Sequence, residues 1–331
     1  MSTIPSSMKA LCRSRYGMPD VLEIRSLSTP TPKGDEVLVK VMATTVNRTD
    51  GGILRGMPLL IRAYSGFPQP RNAVPGTDFV GDIVAVGKSH TLFKVGDRVM
   101  GLNDNGRVMS QAEFIVTSPA ISMMKIPEGI DYFTAVAGLE GGHYAYNFIN
   151  KLSISPGEKV MVNGGTGAIG SAAIQFLKHY GLYVTATCRK EHIERVLDLG
   201  ADRVIDYLET DFTEDKEQFD YVFDAVGKSS FGKCKRILKP KGVYISSELG
   251  AGWQNIWLAM VTPLSKGRKV IFPIPTDIPA SLAFIKTLLA SGSYRPLIDR
   301  RYSLNKAADA YRYMLTGQKV GSILLIPHEH E

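Results

Sequence analysis

The sequence predicts an α/β protein in which a β-rich part precedes an open, doubly wound parallel sheet. Three observations carry that expectation. The stretch Lys159-Val-Met-Val-Asn-Gly-Gly-Thr-Gly-Ala-Ile-Gly170 runs from an apolar strand through a glycine turn into a helix. Strand and helix patterns then alternate as far as Phe272. Before it, up to about residue 125, short strands follow one another with glycine punctuation.

In chain order, Met8 to Cys12 and Val21 to Leu27 read as strands around the turn Tyr16-Gly-Met-Pro-Asp20. Pro30 and Pro32 break the chain. Glu36 to Ala43 alternates polar and apolar residues, the pattern of a half-buried strand. Asn47 to Gly56 is a polar turn with a helical piece. Met57 to Val74, rich in Pro, Gly and aromatics, reads as loop. Further strands follow in Gly76 to Gly87 and Phe93 to Gly101. Asp131 to Leu152 is helical with a break at Gly141-Gly142.

Past Lys159 the period changes. Val160 to Val162 is a buried strand, and Ala168 to Lys178 carries apolar residues at helical spacing. Leu182 to Thr187, Val204 to Tyr207, Tyr221 to Val226, Val243 to Ser246 and Val270 to Phe272 are the next strands. Glu191 to Leu199 is a helix ending at Gly200, and Lys233 to Leu238 a helix stopped by Pro240 and Gly242. The tail has helices at Ile278 to Ser291 and Asn305 to Thr316 and a strand at Ser322 to Ile326. It is too short for a third domain and is expected to fold back onto the first. The expected domains are residues 1–125, 126–268 and a returning segment 269–331.

A chain of 331 residues exceeds one ordinary core, which agrees with two domains. Hydrophobic content of 44% and charged content of 21% are those of a soluble globular protein. The net charge is +7, with a dense patch at Lys233, Lys235, Arg236, Lys239 and Lys241. No aromatic interleaving or reading-helix motif accompanies that patch, so a solvated helix end is preferred over nucleic-acid binding. Cys12, Cys188 and Cys234 are far apart and have no metal or disulfide spacing, which suits a reducing cytosol. The first residues lack the apolar core of a signal peptide, and no apolar run reaches membrane-span length. A cytoplasmic location without membrane attachment is expected.

The glycine turn is the start of a dinucleotide-binding βαβ unit. A pyrophosphate must approach backbone N–H groups at a helix N-terminus, and side chains would hold it off. The spacing Gly165-x-Gly167-x-x-Gly170 assigns Gly165 and Gly167 to the turn and the approach, and Gly170 to helix packing. The binding segment is Gly164, Gly165, Thr166, Gly167, Ala168 and Ile169. The second strand follows the turn by about 20 residues, where an acid marks NAD. Here it ends Thr187-Cys-Arg189-Lys190, with two cations and no carboxylate. That favours a 2′-phosphate and hence NADP(H). The alternative is that Arg189 and Lys190 only begin the solvated face of the next helix.

Several phrases in order resemble the medium-chain dehydrogenase/reductase superfamily, in its zinc-free quinone-oxidoreductase branch. They are Tyr16-Gly-Met-Pro-Asp-Val-Leu-Glu23, Glu36-Val-Leu-Val-Lys-Val41, Val46-Asn-Arg-Thr-Asp50, Pro75 to Gly87, Phe93-Lys-Val-Gly-Asp-Arg-Val99, Gly164 to Gly170, Leu199 to Tyr207 and Phe223-Asp-Ala-Val-Gly227. The match runs from about Met8 to Ile326. The resemblance implies a GroES-like catalytic domain and a Rossmann domain, substrate in the cleft between them, and a homodimer paired through an edge of the nucleotide domain. Zinc-dependent members place ligands where this chain has Asn47, Thr77 and Leu139. Those three are no zinc set. A non-standard site from His143, Glu140, Asp50 and Asp78 is the alternative; the expectation is no metal.

Without a Lewis acid an unactivated alcohol is a poor substrate, whereas a quinone or an α,β-unsaturated carbonyl accepts hydride into a conjugated system. The resemblance places Asn47 near the nicotinamide and Asp50 close by. The other reading of Asn47 is a turn residue bonding its own backbone, and of Asp50 a first-turn acid. Tyr64 lies in a loop within reach of the cleft or packs at the surface. Tyr207 lies by the cofactor phosphates or simply packs in its strand. Ala225, Val226, Gly227, Ser246 and Ser247 end the fourth and fifth strands, where this architecture binds ribose and nicotinamide. No nucleophile–His–acid set is present; Ser171 follows the turn as a helix residue, and His328 and His330 sit in the tail. The expected activity is NADPH-dependent reduction of a quinone or enone. The alternatives are an enoyl thioester reductase acting on a CoA ester, a zinc-free alcohol dehydrogenase-like protein, and an NADPH-binding sensor without turnover.

Overall fold

The computed structural model describes residues 4–102, 109–118, 123–246 and 248–328, and within them every side chain but that of Tyr64. β1 (Ser7–Arg13) and β2 (Leu22–Ser28) pair antiparallel, with Arg13 opposite Leu22. β3 (Val37–Val46) is buried along nearly its whole length, including the polar Thr44 and Thr45 at its end. α1 (Arg48–Arg55) starts at Asn47 and stops at Gly56. α2 (Ile61–Ser65) is a short helix inside the stretch expected to be loop. The Tyr16 hydroxyl fastens its end, donating to the Gly66 carbonyl at 2.6 Å and lying 2.7 Å from Ser65 Oγ. That long-range anchor has no local sequence signal.

β4 (Asp78–Val86), β5 (Arg98–Leu102), β6 (Phe114–Thr117) and β7 (Met123–Lys125) complete the first run of strands. α3 (Tyr132–Ala137) and α4 (Leu139–Ile149) follow. The helical break falls at Gly138, not at Gly141-Gly142, which lie inside α4. A side chain at Gly141 would begin 2.6 Å from the Ala168 carbonyl carbon and oxygen, so glycine there permits a close approach instead of ending a helix.

The alternating part comprises β8 (Lys159–Asn163), α5 (Ala168–His179), β9 (Tyr183–Cys188), α6 (Ile193–Asp198), β10 (Arg203–Asp206), β11 (Phe219–Asp224), α7 (Phe231–Cys234), β12 (Leu238–Ser246), α8 (Gln254–Val261) and β13 (Lys269–Ile271). Its strands form one parallel sheet in the order β10-β9-β8-β11-β12-β13, the doubly wound arrangement. The helix expected at Lys233 to Leu238 ends early, at Cys234, and Pro240 and Gly242 belong to β12. The ladder explains this. Leu238 faces Phe219 but Val243 faces Tyr221, so Pro240 lies in the looped-out stretch, where a missing N–H is harmless.

The tail adds α9 (Ile278–Ala290), β14 (Ile298–Ser303), α10 (Ala307–Leu315) and β15 (Ser322–Ile326). β15 pairs antiparallel with β3, and β14 pairs parallel with β15. The tail thus completes the mixed sheet β14-β15-β3-β4-β5-β7, with β6 on β3. β14 was not expected. Its residues Ile-Asp-Arg-Arg-Tyr-Ser are mostly polar, as an edge strand with only one neighbour allows.

The chain divides into two compact units. One holds the residues up to 140, 278–290 and those from 298 on; the other holds 141–277 and 291–297. The expected boundaries at 125 and 268 differ from these for packing reasons. Ala135, Val136 and Ala137 of α3 share a core with Val80, Met100 and Leu324 of the first unit. In the second unit, Tyr294 stacks edge-on against Phe176 with ring centroids 4.9 Å apart. Gln175 brackets Arg295, accepting its N–H at 2.8 Å and donating to its carbonyl at 3.2 Å.

Candidate cofactor cradle and active-site cluster

In the second unit β8 ends at Asn163 and the chain turns at once. Gly164 takes a left-handed φ of 92°, and a Cβ there would lie 2.4 Å from the Val226 side chain. The residue that permits the turn is therefore Gly164, not Gly165 or Gly167. Thr187, at the end of β9, fixes the turn from the side. Its hydroxyl accepts from Gly164 N at 2.9 Å, and its carbonyl accepts from Gly165 N at 2.8 Å. α5 starts at Gly167 with no side-chain cap. A Cβ at Gly170 would sit 2.1 Å from the Gly164 carbonyl oxygen, so the helix rests directly on the turn. A Cβ at Gly167 would meet nothing nearer than that same oxygen, at 3.6 Å. The turn is thus packed on one side and open at Gly167, with backbone donors at a helix start. That arrangement suits a pyrophosphate.

The strand ends are joined by buried polar groups, of which the sequence reading named Thr187 for the cofactor and passed over Asn163 and Asp224. Asn163 Nδ2 donates to Asp224 Oδ1 at 2.9 Å, and the Thr187 hydroxyl donates to Asn163 Oδ1 at 2.8 Å. Asp224 also accepts from Gly227 N at 2.9 Å, Ser229 N at 3.0 Å and the Tyr244 hydroxyl at 2.9 Å. Burial beside Asp224 pushes the Tyr244 phenol far up, so it stays a donor. One carboxylate thus orders the segment Ala225-Val226-Gly227 after β11. A polar residue closing an apolar strand was the available signal. Ala225 and Ser246 are buried, while Val226 and Gly227 are partly exposed. Ser246 Oγ accepts from Glu248 N at 3.3 Å. Ser247 lies outside the described residues.

After β9 the structure brings Arg189 and Tyr207 together, with Arg189 Nε donating to the Tyr207 hydroxyl at 3.0 Å. Arg189 lies 3.8 Å from Glu191, and Lys190 lies 3.6 Å from Glu209, both on the surface. Exposed pairs of this kind contribute little and exchange readily for another anion. Thr187 is buried and its polar atoms serve the turn.

In the first unit, Asn47 and Asp50 start α1 as a capping box. The Asn47 amide nitrogen donates to Thr45 Oγ1 at 3.1 Å and Thr77 Oγ1 at 2.9 Å. Asp78 is held by Thr45, whose N–H reaches Oδ1 at 2.8 Å and whose hydroxyl reaches Oδ2 at 2.6 Å. The Thr44 hydroxyl adds a contact at 3.2 Å. Gln111 donates to the Thr45 carbonyl at 3.1 Å and accepts from the Tyr311 hydroxyl of α10 at 2.9 Å. Arg13 donates to the Ile53 carbonyl. Sequence reasoning named neither Gln111 nor Tyr311, because their contact joins distant segments. Burial pushes Asp50 well above the carboxylate range, and the nearby Asp78 and Glu140 charges push the same way. Burial also takes Asp78 to about 6, against its threonine donors, and Glu140 to about 7, against the Lys319 charge. α2 carries Tyr64, whose side chain lies outside the described residues.

These residues do not fit zinc. The Asn47 amide is committed to its cap and to two threonines, the Thr77 hydroxyl accepts from it, and Leu139 is buried hydrocarbon. Among the described residues no group of three or more His, Cys, Asp and Glu is arranged to hold a metal. His143 is buried and pushed down to about 4 by desolvation.

Residues 33–148 match the family described as alcohol dehydrogenase GroES-like domain, and residues 199–325 the family described as zinc-binding dehydrogenase. The chain is 30% identical over 332 residues to a chloroplast envelope quinone oxidoreductase homolog of Arabidopsis thaliana, covering 97% of this chain and 98% of that one. The chain belongs to the medium-chain dehydrogenase/reductase superfamily, in its quinone oxidoreductase-like branch. A second relative in that superfamily, the chloroplastic NADPH-dependent alkenal/one oxidoreductase of A. thaliana, is 30% identical over 338 residues, covering 98% of this chain and 81% of that one. The quinone oxidoreductase of Coxiella burnetii shows the same fold, with a TM-score of 0.83 at 24% identity over 97% of this chain and all of that one (100%). The mixed sheet is accordingly the GroES-like domain of this medium-chain oxidoreductase, and the parallel sheet its Rossmann-like domain. Among the described residues no helix is long and apolar enough to cross a membrane.

Proposed function

We propose that this protein reduces quinones or α,β-unsaturated carbonyl compounds with NADPH and without zinc. One observation carries the reading. At the positions where zinc-dependent members hold their metal, this chain has a hydrogen-bonded amide, a hydroxyl and a hydrocarbon side chain. No polarising ion is offered there, so the acceptor must already be electron-poor. The two relatives named for quinone and for alkenal/one reduction support that acceptor class.

When bound, NADPH supplies the hydride. The backbone of Gly164 to Ile169 holds its pyrophosphate at the start of α5. Arg189 and Lys190 take the 2′-phosphate in exchange for Glu191 and Glu209, and Tyr207 keeps the Arg189 guanidinium in place. The segment Ala225 to Gly227 and the end of β12 at Ser246 line the ribose and nicotinamide side. Asp50 and Tyr64 are the polar groups assigned to the acceptor, and Asn47, its amide already committed, fixes Asp50 through the shared helix cap.

The test is NADPH oxidation with para-benzoquinone, with cyclohexenone, with crotonyl-CoA and with no acceptor. Turnover with the quinone or the enone, and none with the thioester, is expected. Turnover with crotonyl-CoA alone would make the protein an enoyl thioester reductase. Tight NADPH binding without turnover by any acceptor would make it a cofactor-binding sensor.

A further inference from the structure

The basic patch singled out in the sequence has no part in the proposed chemistry. In the structure it divides. Lys239 is paired with Asp220 at 2.7 Å. Lys233, Lys235 and Arg236 instead line a cavity of about 600 Å³ together with Arg268, Asp211, Thr213 and Gly232. Arg268, remote in sequence, directly precedes β13, and Arg236 shortly precedes β12. Asp211 and Thr213 lie ahead of β11. This cavity therefore gathers residues from the amino ends of β11, β12 and β13. The cofactor cradle uses the carboxyl ends of strands in the same sheet.

Charge and preorganisation both favour an anion. Four cations line the cavity against one carboxylate, Asp211, whose Oδ1 already accepts from the Thr213 N–H at 2.9 Å and hydroxyl at 2.8 Å. Two of the cations are pinned through Nε, which fixes the plane of the fork. Arg268 Nε donates to the Leu238 carbonyl at 2.8 Å, and Arg236 Nε donates to the Thr213 carbonyl. Arg236 also meets the exposed Glu214 at 2.9 Å, a surface pair that an incoming anion would displace at little cost. Lys233 and Lys235 form no ion pair among the described residues. Planar, oriented guanidiniums beside mobile ammonium groups are the donors that phosphate oxygens take. The depression is open to solvent and, at about 600 Å³, exceeds what one phosphate needs.

We propose that this cavity is a second anion site, which binds a phosphorylated small molecule carrying adjacent phosphates. It is independent of the NADPH reading, since it shares no residue with the cradle. The probe is inorganic pyrophosphate, titrated calorimetrically into the full chain saturated with NADPH, at constant ionic strength, beside orthophosphate and sulfate. Saturable binding of one pyrophosphate, tighter than either single anion, is expected. The double variant Lys233→Glu, Lys235→Glu changes exposed side chains and should weaken pyrophosphate at least roughly tenfold while leaving the KM for NADPH unchanged. Arg268→Gln should weaken it as well. Three results would overturn the proposal. One is unchanged affinity in both variants. Another is pyrophosphate binding to the NADPH-free protein that is absent from the NADPH-saturated one, which would place the anion in the cradle. The third is binding of a single-stranded RNA oligonucleotide, lost in the same variants, with no saturable pyrophosphate binding; that would reassign the patch to nucleic acid.

Discussion

Asn47 and Asp50 cap one helix reciprocally: the Asn47 amide oxygen accepts from Asp50 N at 2.8 Å, and Asp50 Oδ2 accepts from Asn47 N at 3.2 Å. Asp50 Oδ1 has no hydrogen-bond partner of good geometry, although the Thr77 hydroxyl lies near enough to favour the ionised form. A helix start is thus built on an acid whose carboxyl burial pushes well above its ordinary value. Asn47→Ala removes the cap and the contacts to Thr45 and Thr77, and should destabilise the protein by about 1–2 kcal/mol. Chemical denaturation measures this; a change within error would show that the cap is dispensable.

Asp78 and Glu140 give stability a pH dependence of defined sign. Their folded pKa values, about 6 and about 7, lie above the ordinary 3.8 and 4.5. Across that window the folded protein holds protons that the unfolded chain has released. Stability from these groups is therefore full below about pH 4 and declines as pH rises to about 7. His143, lowered from 6.5 to about 4, acts in the opposite sense. The difference between variant and parent isolates one group. Asp78→Asn should flatten the decline in melting temperature between about pH 4 and about pH 6. Parallel curves would mean that Asp78 does not titrate there.

If Arg189 and Lys190 hold a 2′-phosphate as proposed, they separate the two nicotinamide coenzymes. Changing both to Ala should raise the KM for NADPH by roughly 10–100-fold, as loss of charge-assisted hydrogen bonds implies, and leave NADH nearly unaffected. Tyr207→Phe removes only the bond that orients Arg189 and should cost NADPH roughly 2–5-fold. Equal losses for both coenzymes would refute a phosphate role.

Gly167 and Gly170 differ in what surrounds them. At Gly167 a Cβ meets nothing nearer than 3.6 Å, so Gly167→Leu should leave a folded chain that no longer binds NADPH. Gly170→Ala meets the Gly164 carbonyl oxygen at 2.1 Å and should lower stability, by about 1–3 kcal/mol as for other overpacked sites. Binding by calorimetry and unfolding by circular dichroism distinguish the two. NADPH affinity retained in Gly167→Leu would show that the turn does not face the pyrophosphate.

Composition and periodicity by themselves determined the α/β class, the strand–glycine turn–helix at residues 159–170, the cations after β9 and the tail strand Ser322–Ile326. Each is written in neighbouring residues, because a strand, a turn or a helix start is a local backbone preference. Tertiary structure decided the rest. It gave the left-handed turn to Gly164, because the Val226 side chain fills the space where a Cβ would go. It joined Asn163, Thr187 and Asp224 across strands, and tied Gln111 to Tyr311 over 200 residues of chain. It also placed Pro240 within β12 and assembled the four-cation cavity around Arg268. Buried polar atoms need partners, and which distant segment supplies them is settled only when the chain closes on itself.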